Sequence, residues 1–129
     1  MKTLVVTILL SLSFAVQAQS SKILEMAPKN YLNALNSDCC QMVEAAVFYS
    51  VKLNYFHPEI EIKNLAKKID ELSREGKTEV IRYKAYLASY LLNNTDLFSE
   101  IKEEDYNDSA IFFQNLATIL NQRLLAENE

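Results

Sequence analysis

From residue 28 onward, apolar residues recur at three- and four-residue spacing along most of the chain, the signature of helices that bury one face. A first short helix is predicted from Pro28, a residue favoured at a first helical position, to Leu35. Asn36, Ser37 and Asp38 then supply turn and N-cap chemistry for a second helix over Cys39–Tyr55. Phe56, His57 and Pro58 interrupt it, because proline disfavours helical geometry in the residue before it. The third helix, Glu59–Arg74, is the plainest amphipath: Ile62, Leu65, Ala66, Ile69 and Leu72 form one stripe, and Lys63, Lys67, Lys68, Asp70 and Glu71 the other. Lys67 and Glu71 stand at ion-pair spacing, and Gly76 is placed for a left-handed cap. The fourth helix covers Thr78–Asn93, a short fifth is capped by Asp96 and ends near Glu104, and a sixth starts at Asp108 or Ser109. One Gly, two Pro and no turn-bounded run of alternating polarity make the fold class all-α.

The fourth predicted helix contains VIRYKAYLASYLL, Val80–Leu92, which lacks an ordinary wet side. At about 100° per residue, Ile81, Ala85, Ala88 and Leu92 form one face, Leu87 and Leu91 sit beside it, and Tyr83, Tyr86 and Tyr90 lie nearly opposite. Arg82, Ser89 and Asn93 make a narrow polar strip. Such a helix belongs in the middle of a packed array, where the tyrosines serve either as core between neighbours, the preferred reading, or as an exposed anchor row.

An internal repeat supports that placement. Met42–Asn54 laid over Ile81–Asn93, an offset of 39, pairs Ala46 with Ala85, Ser50 with Ser89, Leu53 with Leu92 and Asn54 with Asn93. A weaker third copy lies 32 residues further on, with Ala117 and Leu124 under Ala85 and Leu92. The spacing, the two helices per unit and the run Ile81, Arg82, Ala85, Ala88 resemble the HEAT repeat over roughly Pro28–Leu125. The resemblance implies a short right-handed stack of about three helical hairpins, an α-solenoid of the HEAT/ARM kind. It also implies an inter-repeat pair between an Asp and an Arg, here Asp38 and Arg82. Each unit departs from the family pattern at one of these positions, with Val43 in place of Arg in the first and Lys77 in place of Asp in the second.

Residues 1–18 carry one Lys, an apolar run of 13 residues from Leu4 to Val16, and a Val-Gln-Ala end suited to cleavage, which reads as a secretory signal peptide. The expected protein is therefore exported, of bacterial type, periplasmic or extracellular, without stable membrane insertion after cleavage. Residues 19–27 form a lead-in and residues 28–129 one helical domain. Loss of Lys2 with the signal takes the formal charge from -4 to -5, which repels a phosphate backbone and argues against nucleic acid as a partner.

Candidate chemistry is sparse. The single His57 sits next to Pro58 in a predicted loop, where it reads as a surface or helix-capping residue. Cys39 and Cys40 are adjacent, and a helix points neighbouring side chains about 100° apart, so a bond between them is disfavoured. They are two small apolar residues at a helix start, or else an intermolecular bridge or redox pair. Asp105, Asn107 and Ser109 match the opening of a calcium loop, but Ala110 and Leu116 replace its glycine and its final glutamate. The acidic run Glu100–Asp108 then reads as a solvated loop, and no cofactor or metal is called for.

The expected function is that of a non-catalytic protein-binding module or scaffold, its protein partner unnamed by the sequence. An exported inhibitor or immunity-type protein is the first rival, and a small redox or hydrolytic enzyme using Cys39, Cys40 or His57 the second. The candidate partner-binding strip is Ser50, Asn54, Arg82, Tyr86, Ser89 and Asn93; the competing reading is that the asparagines end their helices and the serines permit close packing. Export predicts a mature chain beginning at Gln19, which the intact mass of the secreted species checks. A species still carrying Met1 contradicts it.

Overall fold

A computed structural model describes residues 21–129, so the predicted signal peptide and its cleavage site lie outside the described residues. Helix α1 covers residues 21–35, α2 Cys40–Phe56, α3 Lys63–Glu75, α4 Glu79–Asn93 and α5 Ser109–Glu127. Two 3-10 segments, Thr95–Glu100 and Glu103–Asn107, connect α4 to α5. The chain is all-α, with no strand among the described residues. None of the described helices is long and apolar enough to cross a membrane.

Several boundaries differ from the sequence reading, each for a local reason. The lead-in is already helical from residue 21, which places Pro28 inside α1, where it forgoes one backbone hydrogen bond. The N-cap of α2 is Cys39, in extended geometry and without a side-chain cap; Ser37 Oγ accepts from the Cys39 N–H at 3.1 Å, and Asp38 caps nothing. Helix α3 starts four residues late because the chain first turns after Pro58, with the Ile60 N–H donating to the His57 carbonyl at 3.0 Å. Lys68, not Lys67, pairs with Glu71, at 2.9 Å.

The α3–α4 corner replaces a conformational role for Gly76 with a steric one. Its φ is -55° and ψ 144°, so it is not in the left-handed region. A Cβ there would stand 2.6 Å from the Leu72 carbonyl oxygen and 2.7 Å from Ile81 Cγ2. Thr78 caps α4 by accepting from the Ile81 N–H at 3.1 Å, and Arg82 Nη1 donates to the Gly76 carbonyl at 2.7 Å. The corner is therefore held by a cap, a guanidinium and a close approach that only glycine permits.

Helix α4 packs against α2, α3, α5 and the first 3-10 segment, which accounts for its apolar circumference. Ala85, Ala88 and Leu91 are 0% exposed, and Ile81 and Leu87 nearly so. The facing stripe of α3 is Leu65, Ile69 and Leu72, as its pattern predicts. From α2 come Val43, Ala46, Val47, Phe48, Val51 and Leu53, and from α5 Phe112, Phe113, Leu116 and Leu120.

The expected fifth α-helix is absent and two 3-10 turns stand in its place. Asp96 does not cap it; its carboxylate pairs with Arg123 Nη1 at 2.9 Å, and Glu100 binds the same guanidinium, fastening the first turn to α5. The acidic run is not fully solvated either. Asp105 and Tyr106 are buried, Asp105 accepting from Asn115 Nδ2 at 2.9 Å, while Asp108 caps α5 through the Ala110 and Ile111 N–H groups. Tyr106 stacks on Tyr55 of α2 with centroids 4.4 Å apart and planes 11° apart, and Phe48 of α2 meets the edge of Phe112 of α5 at 5.3 Å. Helix α2 thus touches the C-terminal part of the chain directly as well as through α4.

Because Ala85 is completely enclosed, Ala85→Leu is expected to cost about 1 to 3 kcal/mol by overpacking. Lys67→Leu, on the exposed side of α3, is expected to change stability by no more than about 0.5 kcal/mol. Denaturant melts that give equal, small effects for both remove α4 from the centre of the fold.

Candidate interaction face

The polar strip expected along the inner helices does not form a continuous surface. Ser50 is completely buried and its Oγ donates to the Ala46 carbonyl at 2.7 Å, the back-bond of a serine that packs closely inside a helix. Ser89 is largely buried and lies 3.4 Å from Asp70 Oδ1. Asn93 Nδ2 folds back on the Ser89 carbonyl at 2.9 Å, and Arg82 is committed to the Gly76 carbonyl. The inter-repeat pair between Asp38 and Arg82 is therefore not made, because the corner takes the guanidinium first and leaves Asp38 exposed. Asn54 is half-buried on α2, away from the α3–α4 cleft that collects Tyr86, Ser89 and Asn93 with Asp70, Ser73, Tyr90 and Asn94. Four of the six strip residues thus serve internal hydrogen bonding.

The tyrosines go the other way. Tyr83 and Tyr86 are 55% and 50% exposed and lie on the surface, whereas Tyr90 is half-buried and packs against the core. The reason is geometric: α2, α3 and α5 take the Ile81, Ala85, Ala88 and Leu91 sides of α4, and no element among the described residues covers the side opposite. Between this row and α5 runs a groove of about 470 Å³ floored by Leu87, Phe113 and Leu120 and edged by Gln114, Ala117, Asn121 and Leu124. Lys84 is the one charged residue lining it; its Nζ lies 3.6 Å from Glu44 of α2 and 5.5 Å from the centre of the Phe113 ring. Helix α5 itself carries no charged residue from Ser109 through Gln122. A neutral face rich in tyrosine and aliphatic side chains has the composition of a protein interface core.

No family model, curated protein or solved structure matches the chain.

Catalytic candidates are kept apart by the geometry of the fold. Cys39 and Cys40 stand at the start of α2 and His57 at its end, and a 17-residue helix is about 25 Å long. A cysteine–histidine pair is therefore impossible within one molecule. Both thiols are free, Cys39 exposed and Cys40 half-buried, and His57 Nδ1 lies 3.2 Å from Glu59. Among the described residues no three His, Cys, Asp or Glu side chains come together as a metal site. Asp105, the buried carboxylate that the calcium-like pattern singles out, is taken by Asn115.

A second feature that the pattern of apolar residues does not disclose is the hydroxyl of Tyr106, which is buried without a hydrogen-bond partner among the described residues. Burial, and then Tyr55 and Asp105 beside it, raise its pKa far above the ordinary 10.0. A neutral phenol favoured in the folded state stabilises below the unfolded value of about 10, and that contribution is lost as pH rises beyond it. Tyr106→Phe is expected to leave stability at neutral pH unchanged or higher by about 1 kcal/mol, because an unpaired buried hydroxyl is removed. It is also expected to flatten the fall in melting temperature at alkaline pH. Equal alkaline slopes for variant and wild type contradict this placement.

Proposed function

We propose that the chain is an exported, non-catalytic protein-binding module built from three HEAT-like helical hairpins, with the tyrosine face of α4 and α5 as its recognition surface. Three features support the hairpin reading. Helix α1 lies on α2, with Tyr31 stacked on Tyr49 at 6.1 Å; α3 packs on α4; and the second 3-10 segment packs on α5. The helices α2, α4 and α5 are the second members of these units, and α4 meets both of the others. The units do not follow a strictly one-dimensional order, in which each repeat touches only its neighbours, since the aromatic contacts of Phe48 and Tyr55 join the first unit to the third. The array is short and closed on its α2 side, so its open side is the one that carries Tyr83 and Tyr86.

The observation that carries the reading is the pairing of those exposed tyrosines across one groove with the stretch of α5, Ser109 through Gln122, that has no charged residue. Tyrosine covers a large area at little conformational cost, and its hydroxyl keeps the uncovered surface soluble. Wild-type chain used as bait in the exported fraction is expected to enrich the same proteins as an Arg82→Glu, Asn93→Asp double variant and to lose them on Tyr86→Glu. The melting temperature of the Tyr86→Glu variant should stay within a few degrees, because the side chain is half-exposed. Retention by Tyr86→Glu and loss by the double variant returns the recognition surface to the polar strip. A single stoichiometric enzyme among the captured proteins makes the module an inhibitor.

A further inference from the structure

Apart from the α4–α5 face, another apolar groove, of about 420 Å³, runs between α1 and α2. It is lined by the aliphatic side chains of Leu24 and Leu53 and by the rings of Tyr31, Tyr49 and Phe56. Tyr31 and Tyr49 stack across it with centroids 6.1 Å apart, and Tyr49 and Phe56 remain 47% and 41% exposed, apolar area that an occupant would take out of water. The volume falls within the range of about 300 to 1,000 Å³ typical of small-molecule sites, which pair an apolar lining with a few polar groups that fix orientation.

Charge decides what fits. Besides the tyrosines, the ionisable groups that line this groove are Lys52 and His57, and no carboxylate is among them. Lys52 makes no ion pair among the described residues; its Nζ has only the face of Phe48, 6.0 Å from the ring centre. His57 is placed differently. Its Nδ1 lies 3.2 Å from Glu59, and it caps the C-terminal end of α2, where the last carbonyls carry the negative end of the helix dipole. An anion is therefore held at Lys52, one turn before Phe56. We infer that the groove binds an anionic amphiphile of the long-chain carboxylate class, its head on Lys52 Nζ through a charge-assisted hydrogen bond and its alkyl chain against Leu53, Leu24 and Phe56. A concave site of this size receives a single chain, whereas a bilayer is met by an apolar face that enters it. The inference stands apart from the α4–α5 recognition face and shares no residue with it.

Titration of the chain with dodecanoate below its critical micelle concentration, followed by calorimetry and by backbone amide shifts, is the test. Dodecanoate is expected to bind in equimolar ratio and to shift the amides of Tyr49, Lys52 and Leu53. Dodecyltrimethylammonium, with the same tail and the opposite head, and acetate, with the head and no tail, are expected not to bind. Lys52→Glu is expected to raise the dissociation constant for dodecanoate about tenfold or more, and Lys52→Arg, which keeps the charge, to leave it near the wild-type value. Absence of dodecanoate binding, equal binding of dodecyltrimethylammonium, which needs no variant to fold, or a Lys52→Glu variant that binds as wild type does overturns the inference. Shifts confined to α4 and α5, or association with phosphatidylglycerol vesicles without binding of free dodecanoate, overturns it as well, by moving the ligand to the other groove or the contact to a bilayer. Tyr86→Glu is expected to leave dodecanoate binding unchanged, so loss of the recognition face and loss of this groove are read separately.

Discussion

Close approach at α4 is the constraint on which the rest of the structure depends. A helix enclosed by three others has to present almost no side chain where its neighbours come nearest, and Ala85 and Ala88 meet that condition with one carbon each. The same economy operates at the corner before it, where Gly76 lies so close to Leu72 and Ile81 that a methyl group has no room. With α3 pressed onto α4 in this way, Ile69, Leu72 and Ile81 are shut off from water, and Arg82 closes the corner over them. The repeated serine belongs to the same economy: Ser50 hides its hydroxyl in the backbone of its own helix and so takes a place between packed helices without a polar debt.

Once α4 is surrounded, the ends of the chain have to meet around it. The stacked Tyr55–Tyr106 pair and the edge contact of Phe48 with Phe112 bridge α2 to the C-terminal segments, each such contact contributing about 0.5 to 1.5 kcal/mol beyond its buried area. Arg123 fastens the opposite end of α5 to Asp96 and Glu100, exposed ion pairs that fix position more than they stabilise. What remains uncovered is the outward side of α4 and its groove with α5. The tyrosine side of α4 is left open by this packing, because no element among the described residues lies over Tyr83 and Tyr86.

Much of this is legible in the amino-acid pattern, and the failures share one cause. The helical period of Leu65, Ile69 and Leu72, the start of the last helix at Asp108, and the enclosed Ile81–Ala85–Ala88 face can be read directly, since each depends on residues within a few positions. The tyrosines cannot, because an aromatic ring with a hydroxyl suits core and surface equally and the choice depends on where α3 and α5 run out. Asp105 looks like part of a solvated acidic loop until Asn115, ten residues on, is placed against it. Gly76 has the position of a left-handed cap, yet its requirement comes from Ile81 and Leu72 in space and not from its own φ. Arg82 matches a repeat pattern that pairs it with Asp38, and a nearer carbonyl takes it. Local chemistry sets the elements, and competition between local and distant partners decides the site.

Native-state hydrogen exchange tests the central claim, that one enclosed helix holds the other helices together. Amides buried deepest by packing on several sides open only with the whole molecule. The amides of Ala85, Ala88 and Leu91 are predicted to exchange at the global unfolding limit, together with those of Val47 and Val51 in α2, while the ends of α1 and α5 exchange earlier. Exchange of the α4 amides through a smaller opening, with α2 and α5 still protected, contradicts the account.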